Sequence, residues 1–290
     1  MTTLPEIRKR IRSARTTAKV TRAMQTVSAS KMRRAQRLTL ASRPYAELSW
    51  EVLTNLAAHL SPAQRRAQPL LAARPVQSVL AVILTANRGL CGAYNHNVIQ
   101  AAMSFIAGQT VPVRVLTIGR KGCDFMARQG VEIVGDFDMP DRPNFEAAQP
   151  IAHLMMADLQ CGLVDQVWLI YTQFVSFMVQ RPTVRLLLPL ETALGETAAK
   201  PRGQYLFEPR KQDIMQPMLQ HFTEMQVYQA LLEALASEHS ARMVAMRSAS
   251  ENARNLIAEL TVHYNRVRQE LITREIIDIA GGAAALMRNP

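Results

Sequence analysis

The strongest constraint in this sequence is an absence. No glycine precedes Gly89 and none lies between Gly203 and Gly281, so ten of the twelve fall between residues 89 and 203. Proline follows the same pattern: Pro5 and Pro44 are the only two in the first 60 residues, and none separates Pro217 from Pro290. In a helix interior glycine costs about 1 kcal/mol and proline about 3 kcal/mol relative to alanine. Runs this long without either predict long helices at both ends. The first is expected to start at Thr3, with Pro5 in its first turn and Glu6 placed three residues after Thr3 as a capping box. Pro44 is expected to kink this helix without ending it, because "YAELSWEVLTNLAAHL" resumes the apolar periodicity.

Each terminal segment carries one narrow stripe. The N-terminal seam reads Leu4, Ile7, Ile11, Ala14, Ala18, Thr21, Met24, Val27, Met32, Ala35 and Leu38. The C-terminal one runs from Tyr228 through Leu232, Leu235, His239, Arg242, Met246, Ala249, Ala253, Leu256, Leu260, Tyr264 and Val267 to Leu271. Its twelve steps average about 3.6 residues, as a helix requires. Narrow and interrupted by polar residues, it suits a two-helix seam better than a globular core. Helices of about 55 and 65 residues would span roughly 80 and 100 Å. Two such stripes, distant in sequence, pair most simply as an antiparallel coiled coil.

The middle has another texture. "VQSVLAVILTA", "VPVRVLTIG", "VEIVGDF", "QVWLIYTQF" and "TVRLLLPL" read as short buried strands, and the segments between them as helices. Strand and helix alternate, which predicts a small, Rossmann-like open α/β domain with mostly parallel strands. The fold class is therefore α/β with long helices. The N-terminal coiled-coil helix is expected over residues 1–60, the α/β domain over 75–195 and the C-terminal coiled-coil helix over 210–286, paired with the first.

Charge is lopsided. The net charge is +11, and Met1 to Arg43 alone holds twelve Lys or Arg against one acid, so the whole excess sits there. Met225 to Pro290 balances at seven of each sign. A transit peptide shares this Arg-rich, acid-poor texture, but the helical pattern runs past Arg43 without a cleavage-like break. A nucleic-acid grip is the main alternative: a basic coiled-coil nucleic-acid-binding protein. Against it, the positives encircle the helix and no aromatic residue occurs in the first 44 positions to stack a base.

No catalytic constellation stands out. "TANRGLCGAYN" follows the first strand and precedes a helix, where a phosphate loop would sit, but lacks G-x-G-x-x-G spacing, and no P-loop occurs. The favoured reading there, and at "GRKG", is a tight strand-to-helix turn that needs glycine. Six histidines show no metal-ligand spacing, and His239 reads as a hydrogen-bonded seam residue. The three cysteines, unpaired in spacing, read as buried free thiols in a reducing compartment. No cofactor and no metal are expected, and no apolar run reaches the length of a membrane span.

"IRSARTTAKVTRAMQTVSASKMRRAQ", "NRGLCGAYN" and "ASEHSARMVAMRSASENARNLIAELTVHYNRVRQELITREIIDIAGGAAAL" together resemble the gamma subunits of rotary, F-type ATP synthases, at both ends and in the order of the middle. The resemblance implies a non-catalytic central-stalk rotor that couples proton or sodium translocation to ATP synthesis or hydrolysis at beta. The implied partners are the alpha and beta subunits, epsilon and the c-ring, without nucleic acid. The implied location is the cytoplasmic face of the cell membrane, peripheral through the complex.

Residue by residue, the resemblance implies contacts to the alpha/beta hexamer at Lys19, Arg22 and Met24 in "KVTRAM", at Arg88 in "NRGLCG", and at Arg242 in "ARMVAM". It implies further contacts at Arg268, Gln269 and Thr273 in "YNRVRQELIT". Gly281, Gly282, Ala283, Ala284, Ala285 and Leu286 resemble the shaft tip that turns in a hydrophobic sleeve. Three positions depart from the family pattern: Asn87 stands where Asp is usual, Ser28 where Ala is usual, and Glu270 where Ala is usual. The first is expected to loosen a charge pair near Arg88, and the third to add an acid beside the Arg268–Gln269 contact. No regulatory cysteine-bearing insertion is visible, so thiol control is not expected.

Overall fold

The computed structural model describes residues 3–58, 64, 68–190 and 211–286; for 43, 46, 47, 50, 54, 56–58, 211–213 and 281–286 it describes the backbone alone. Helix α1 spans Leu4–Ala58 and runs through Pro44. It opens with the expected capping contact, the backbone N–H of Thr3 donating to Glu6 Oε2 at 3.0 Å. Among the described residues five strands and three shorter helices follow: β1 (Val79–Leu84), α2 (Tyr94–Ala107), β2 (Val113–Ile118), α3 (Arg120–Arg128), β3 (Ile133–Phe137), α4 (Phe145–Gln160), β4 (Gln166–Phe174) and β5 (Gln180–Leu188). Helix α5 closes the described chain at Lys211–Leu286, 76 residues long.

The chain divides into two compact units, Met1–Val27 with Met243–Pro290, and Ser28–Arg242. The second unit holds the sheet, in the order β3-β2-β1-β4-β5. β1 pairs in parallel with β2 and β4, and β2 with β3, while β5 joins β4 antiparallel. All six residues of β1 are buried, as expected of a strand covered on both faces. Strand alternation sorts them: Ala81 and Ile83 pack with Val98 and Ala102 of α2 and Met126 of α3. Leu80, Val82 and Leu84 face the other core, with Ile151 and Met155 of α4 and Leu219, Phe222 and Leu231 of α5.

That second core changes the reading of α5. Every residue from Ala230 to Ser240 is buried, so this stretch is a core helix, packed against the sheet as well as against α1. Its three leucines and three alanines supply the apolar surface, and Glu238 is buried against Arg242. Within this unit α1 and α5 run antiparallel: Ser42 Oγ donates to Gln229 Oε1 at 2.7 Å, and Tyr45 Oη and His221 Nε2 lie 2.7 Å apart. Glu224, buried on α5, meets His153 Nε2 of α4 at 2.9 Å.

The seams, buried or half-buried, keep a steadier period than the sequence suggested. In the first unit they pass through Ile7, Ile11, Ala14, Ala18, Thr21 and Gln25 on α1, and Met246, Ser250, Ala253, Ile257, Leu260, Tyr264 and Val267 on α5. In the second unit α1 buries Ser28, Met32, Ala35 and Thr39. Steps alternate between four and three, the 3.5-residue spacing of a coiled coil. Val27 is 57 % exposed, Leu38 39 % and Leu256 46 %, so these three expected seam residues lie off it, as does Leu271 at 38 %. On α5 a stripe counted at 3.6 drifts from a 3.5 seam by about 20° per heptad, enough over several turns to pass the position to a neighbour; on α1 buried Ser28 and Thr39 displace the apolar neighbours Val27 and Leu38.

Candidate functional site

Loop 85–93, between β1 and α2, is held by its polar side chains. Thr85 Oγ1 donates to the carbonyl of Gly119 at 2.9 Å and accepts from Gly122 N–H at 2.8 Å, binding the starts of two successive strand-to-helix turns together. Gly119 sits at φ +98, and a Cβ there would lie 2.1 Å from the Thr85 carbonyl oxygen. Gly119 thus serves a close backbone approach at the strand-to-helix turn that the sequence reading expects to need glycine, while a Cβ on Gly122 would meet Thr85 Oγ1 at 2.9 Å.

Asn87 does not pair with Arg88. Its Nδ2 donates to the Met139 carbonyl at 2.9 Å, and its Oδ1 accepts from Met139 N–H at 3.0 Å and Arg120 N–H at 3.3 Å. A carboxylate could accept those two bonds but could not donate the first. The asparagine therefore ties this loop to the β3–α4 connection through backbone bonds. Lys31 of α1 adds an exposed ion pair to that connection, 2.9 Å from Asp141. Its bond holds the Asp141 carboxyl below the usual carboxylate range.

The opposite side of the loop is fixed by one arginine. Arg242 Nη2 donates to the carbonyls of Gly89 at 3.2 Å and Arg88 at 3.3 Å. Its Nη1 donates to Glu238 Oε1 at 2.6 Å and approaches His239 Nδ1 at 3.3 Å. Glu238 and Arg242 are 6 % and 8 % exposed. Burial pushes the Glu238 carboxyl up, against the pull of Arg242. His239 is driven down to about 4 by burial first and then by Arg242 and Lys31, so it is neutral near pH 7. The hydrogen-bonded histidine that the sequence suggests is met at Nδ1 alone, since Nε2 is buried without a hydrogen-bond partner among the described residues.

Beneath the loop Cys91 accepts from Asn95 Nδ2 at 3.2 Å, and burial raises its thiol. Leu90, at φ +62, is 62 % exposed. Of the other thiols Cys123 is half-buried, and Cys161 is exposed at the C-terminal end of α4, which corrects the expectation that all three are buried. Among the described residues no group of three or more His, Cys, Asp or Glu is arranged to hold a metal ion.

The remaining expected contact residues lie in the first unit. Lys19 and Arg22 are exposed on α1, and Met24 is half-buried beside the seam. Arg268, Gln269 and Thr273 are exposed on α5, with Gln269 and Thr273 one turn apart. Glu270 is engaged by Arg266 Nε at 3.1 Å. From Arg268 to Ala280 every residue is exposed, including Leu271, Ile272, Ile276, Ile277 and Ile279. The backbone is helical from Gly281 to Leu286, and the side chains of this expected tip lie outside the described residues. Of the expected residues, the structure joins Arg88 and Arg242, through the backbone of one and the guanidinium of the other. Sequence reading missed Glu238, although Glu238 and Arg242 have the i,i+4 spacing of a helical ion pair.

No helix among the described residues is long and apolar enough to cross a membrane. A family model described as ATP synthase matches residues 3–286. The ATP synthase gamma chain of Dehalococcoides mccartyi strain CBDB1 is 44 % identical over 287 residues, covering 99 % of this chain and 100 % of that one. The gamma chain of Chloroflexus aurantiacus strain J-10-fl is also 44 % identical, over 285 residues, 97 % of this chain and 98 % of the other. Among solved structures, a central stalk/c-ring chain of the Tetrahymena thermophila mitochondrial ATP synthase superposes with a TM-score of 0.64 at 26 % identity, covering 80 % of this chain and 99 % of that chain. A chain of the Euglena gracilis mitochondrial enzyme shares the fold, with a TM-score of 0.67 at 18 % identity and coverage of 98 % and 94 %. The chain belongs to the ATP synthase gamma-chain family.

Proposed function

We propose that this chain is the central-stalk rotor of an F-type ATP synthase, coupling ion translocation through the membrane sector to ATP synthesis or hydrolysis at beta. The observation that carries the reading is the bare helix Arg268–Ala280, with five large aliphatic residues exposed on a chain whose relatives are gamma chains. Aliphatic surface of that extent calls for a partner. The alpha/beta hexamer supplies one, with epsilon and the c-ring at the other end of the stalk. The enzyme then sits on the cytoplasmic face of the cell membrane, with this subunit peripheral to the bilayer.

On this reading residues 1–60 and 210–286 form the coiled-coil shaft, and residues 75–195 the α/β foot. Lys19, Arg22, Met24, Arg88, Arg268, Gln269 and Thr273 contact the hexamer directly. Arg242, with its guanidinium buried on its own chain, acts on that contact by holding the Arg88 loop. Residues 281–286 form the tip in an apolar sleeve. Catalysis belongs to beta. An asymmetric shaft couples to it because each orientation favours a different conformation at each of the three sites, and a symmetric rod could not discriminate among them. The test is reconstitution: the purified chain alone hydrolyses no ATP, and adding it to alpha and beta subunits changes their turnover. Robust ATPase activity of the chain alone contradicts the proposal.

A further inference from the structure

One turn and a half of α5, Ser237 to Arg242, is bound to the sheet-end loops from two sides. Ser237 Oγ donates to the Thr172 carbonyl at 3.1 Å, and Ser240 Oγ to the Phe177 carbonyl at 2.6 Å. Both acceptors belong to β4 and the β4–β5 connection. Gln180 Nε2 donates to the same Phe177 carbonyl at 2.8 Å, which stiffens that connection. Glu238 and Arg242 hold the Arg88–Gly89 backbone from another side. At 100° per residue the serine pair and the Glu–Arg pair lie about 150° apart around the helix axis. Hydrogen bonds to fixed carbonyls are directional, so bonds on nearly opposite sides oppose rolling of α5 against the sheet.

Within this clamp Arg242 reaches two carbonyls, a carboxylate and His239 Nδ1 at once only if its fork is held in plane. Among the described residues Glu238, buried and 2.6 Å from Nη1, is the one carboxylate bonded to it. His239 is neutral near pH 7 and adds no charge. We infer that Glu238 is a positioning residue for coupling: through Arg242 it holds the loop that presents Arg88 to the hexamer. This rests on the reading of Arg88 as a hexamer contact.

The test uses the assembled, membrane-reconstituted complex carrying Glu238→Ala, Glu238→Gln, Arg88→Ala, or Glu238→Ala with Arg88→Ala. Ion pumping per ATP hydrolysed is measured beside thermal melting of the complex. Glu238→Ala is expected to lower the pumping ratio about threefold or more, the scale on which residues remote from both sites alter coupling. Glu238→Gln, which keeps an acceptor for Nη1, falls between it and the parent. In the Arg88→Ala background Glu238→Ala adds less than it does alone. If Arg88→Ala lowers the ratio while Glu238→Ala and Glu238→Gln change only melting, Glu238 is a packing residue and the inference fails alone. Fully additive losses in the double variant overturn it too. An unchanged ratio in Arg88→Ala removes both this inference and the reading beneath it. Should Glu238→Ala fail to assemble, Glu238→Gln carries the same comparison.

Discussion

Arg242 and Glu238, one turn apart on α5, form a buried 2.6 Å ion pair whose cation also caps the carbonyls of Arg88 and Gly89. Removing one partner of a buried pair strands the other, at a cost of about 3–5 kcal/mol, whereas removing both costs less. Arg242→Leu should therefore destabilise the chain by about 3 kcal/mol. Adding Glu238→Leu should recover part of that loss. Denaturant titration of the two variants beside the parent measures both.

His239 gives this region a pH dependence. Its imidazole drops from the usual 6.5 to about 4 in the fold. Between those values the unfolded chain binds more protons than the folded one, so stability rises with pH across the window and is lost as pH falls through it. The full span corresponds to about 3 kcal/mol. The raised Glu238 carboxyl has the opposite sign and opposes this loss at the acid end. Comparing the parent with His239→Gln isolates the histidine: the variant should show a flatter stability profile between pH 4 and 6.5.

Two glycines share a positive φ but not the same surroundings. A Cβ on Gly119 would meet the Thr85 carbonyl oxygen at 2.1 Å, while one on Gly130, at φ +70, would meet nothing within 4 Å. Gly130→Ala should cost about 1–2 kcal/mol, from backbone strain alone. Gly119→Ala adds a backbone clash and should cost more than about 3 kcal/mol. Melting temperatures of the two variants separate these terms.

Adjacent residues on α5 test the seam. Ile257 is half-buried on the 3.5-residue register, and Leu256 beside it is 46 % exposed. Ile257→Ala should destabilise the isolated chain by about 1–2 kcal/mol more than Leu256→Ala does. Equal losses would return the seam to the 3.6-residue stripe.

The long helices and the five strands were legible because glycine, proline and apolar periodicity act locally. Arg88 and Arg242 were legible through the family motifs. The seam was legible only in part: Ile7, Ile11, Ala14, Thr21, Met32 and Ala35 lie on it as expected, but Ser28, Thr39 and Ser250 are buried while Val27 and Leu256 are not. Close helix pairs admit small polar side chains, so hydrophobicity alone misplaces the register. Glu238 was not singled out either, because its burial follows from packing Ala230–Ser240 into the core beside the sheet, a long-range event without a local signal.

The most direct measurement of the central claim is single-molecule rotation. An immobilised hexamer of alpha and beta subunits carries this chain as its central stalk, with a probe fixed to Cys161, the exposed thiol of the α/β unit. On addition of ATP the probe should turn in one direction, in three steps per revolution. ATP hydrolysis at full rate with a stationary probe on the assembled complex would contradict the account.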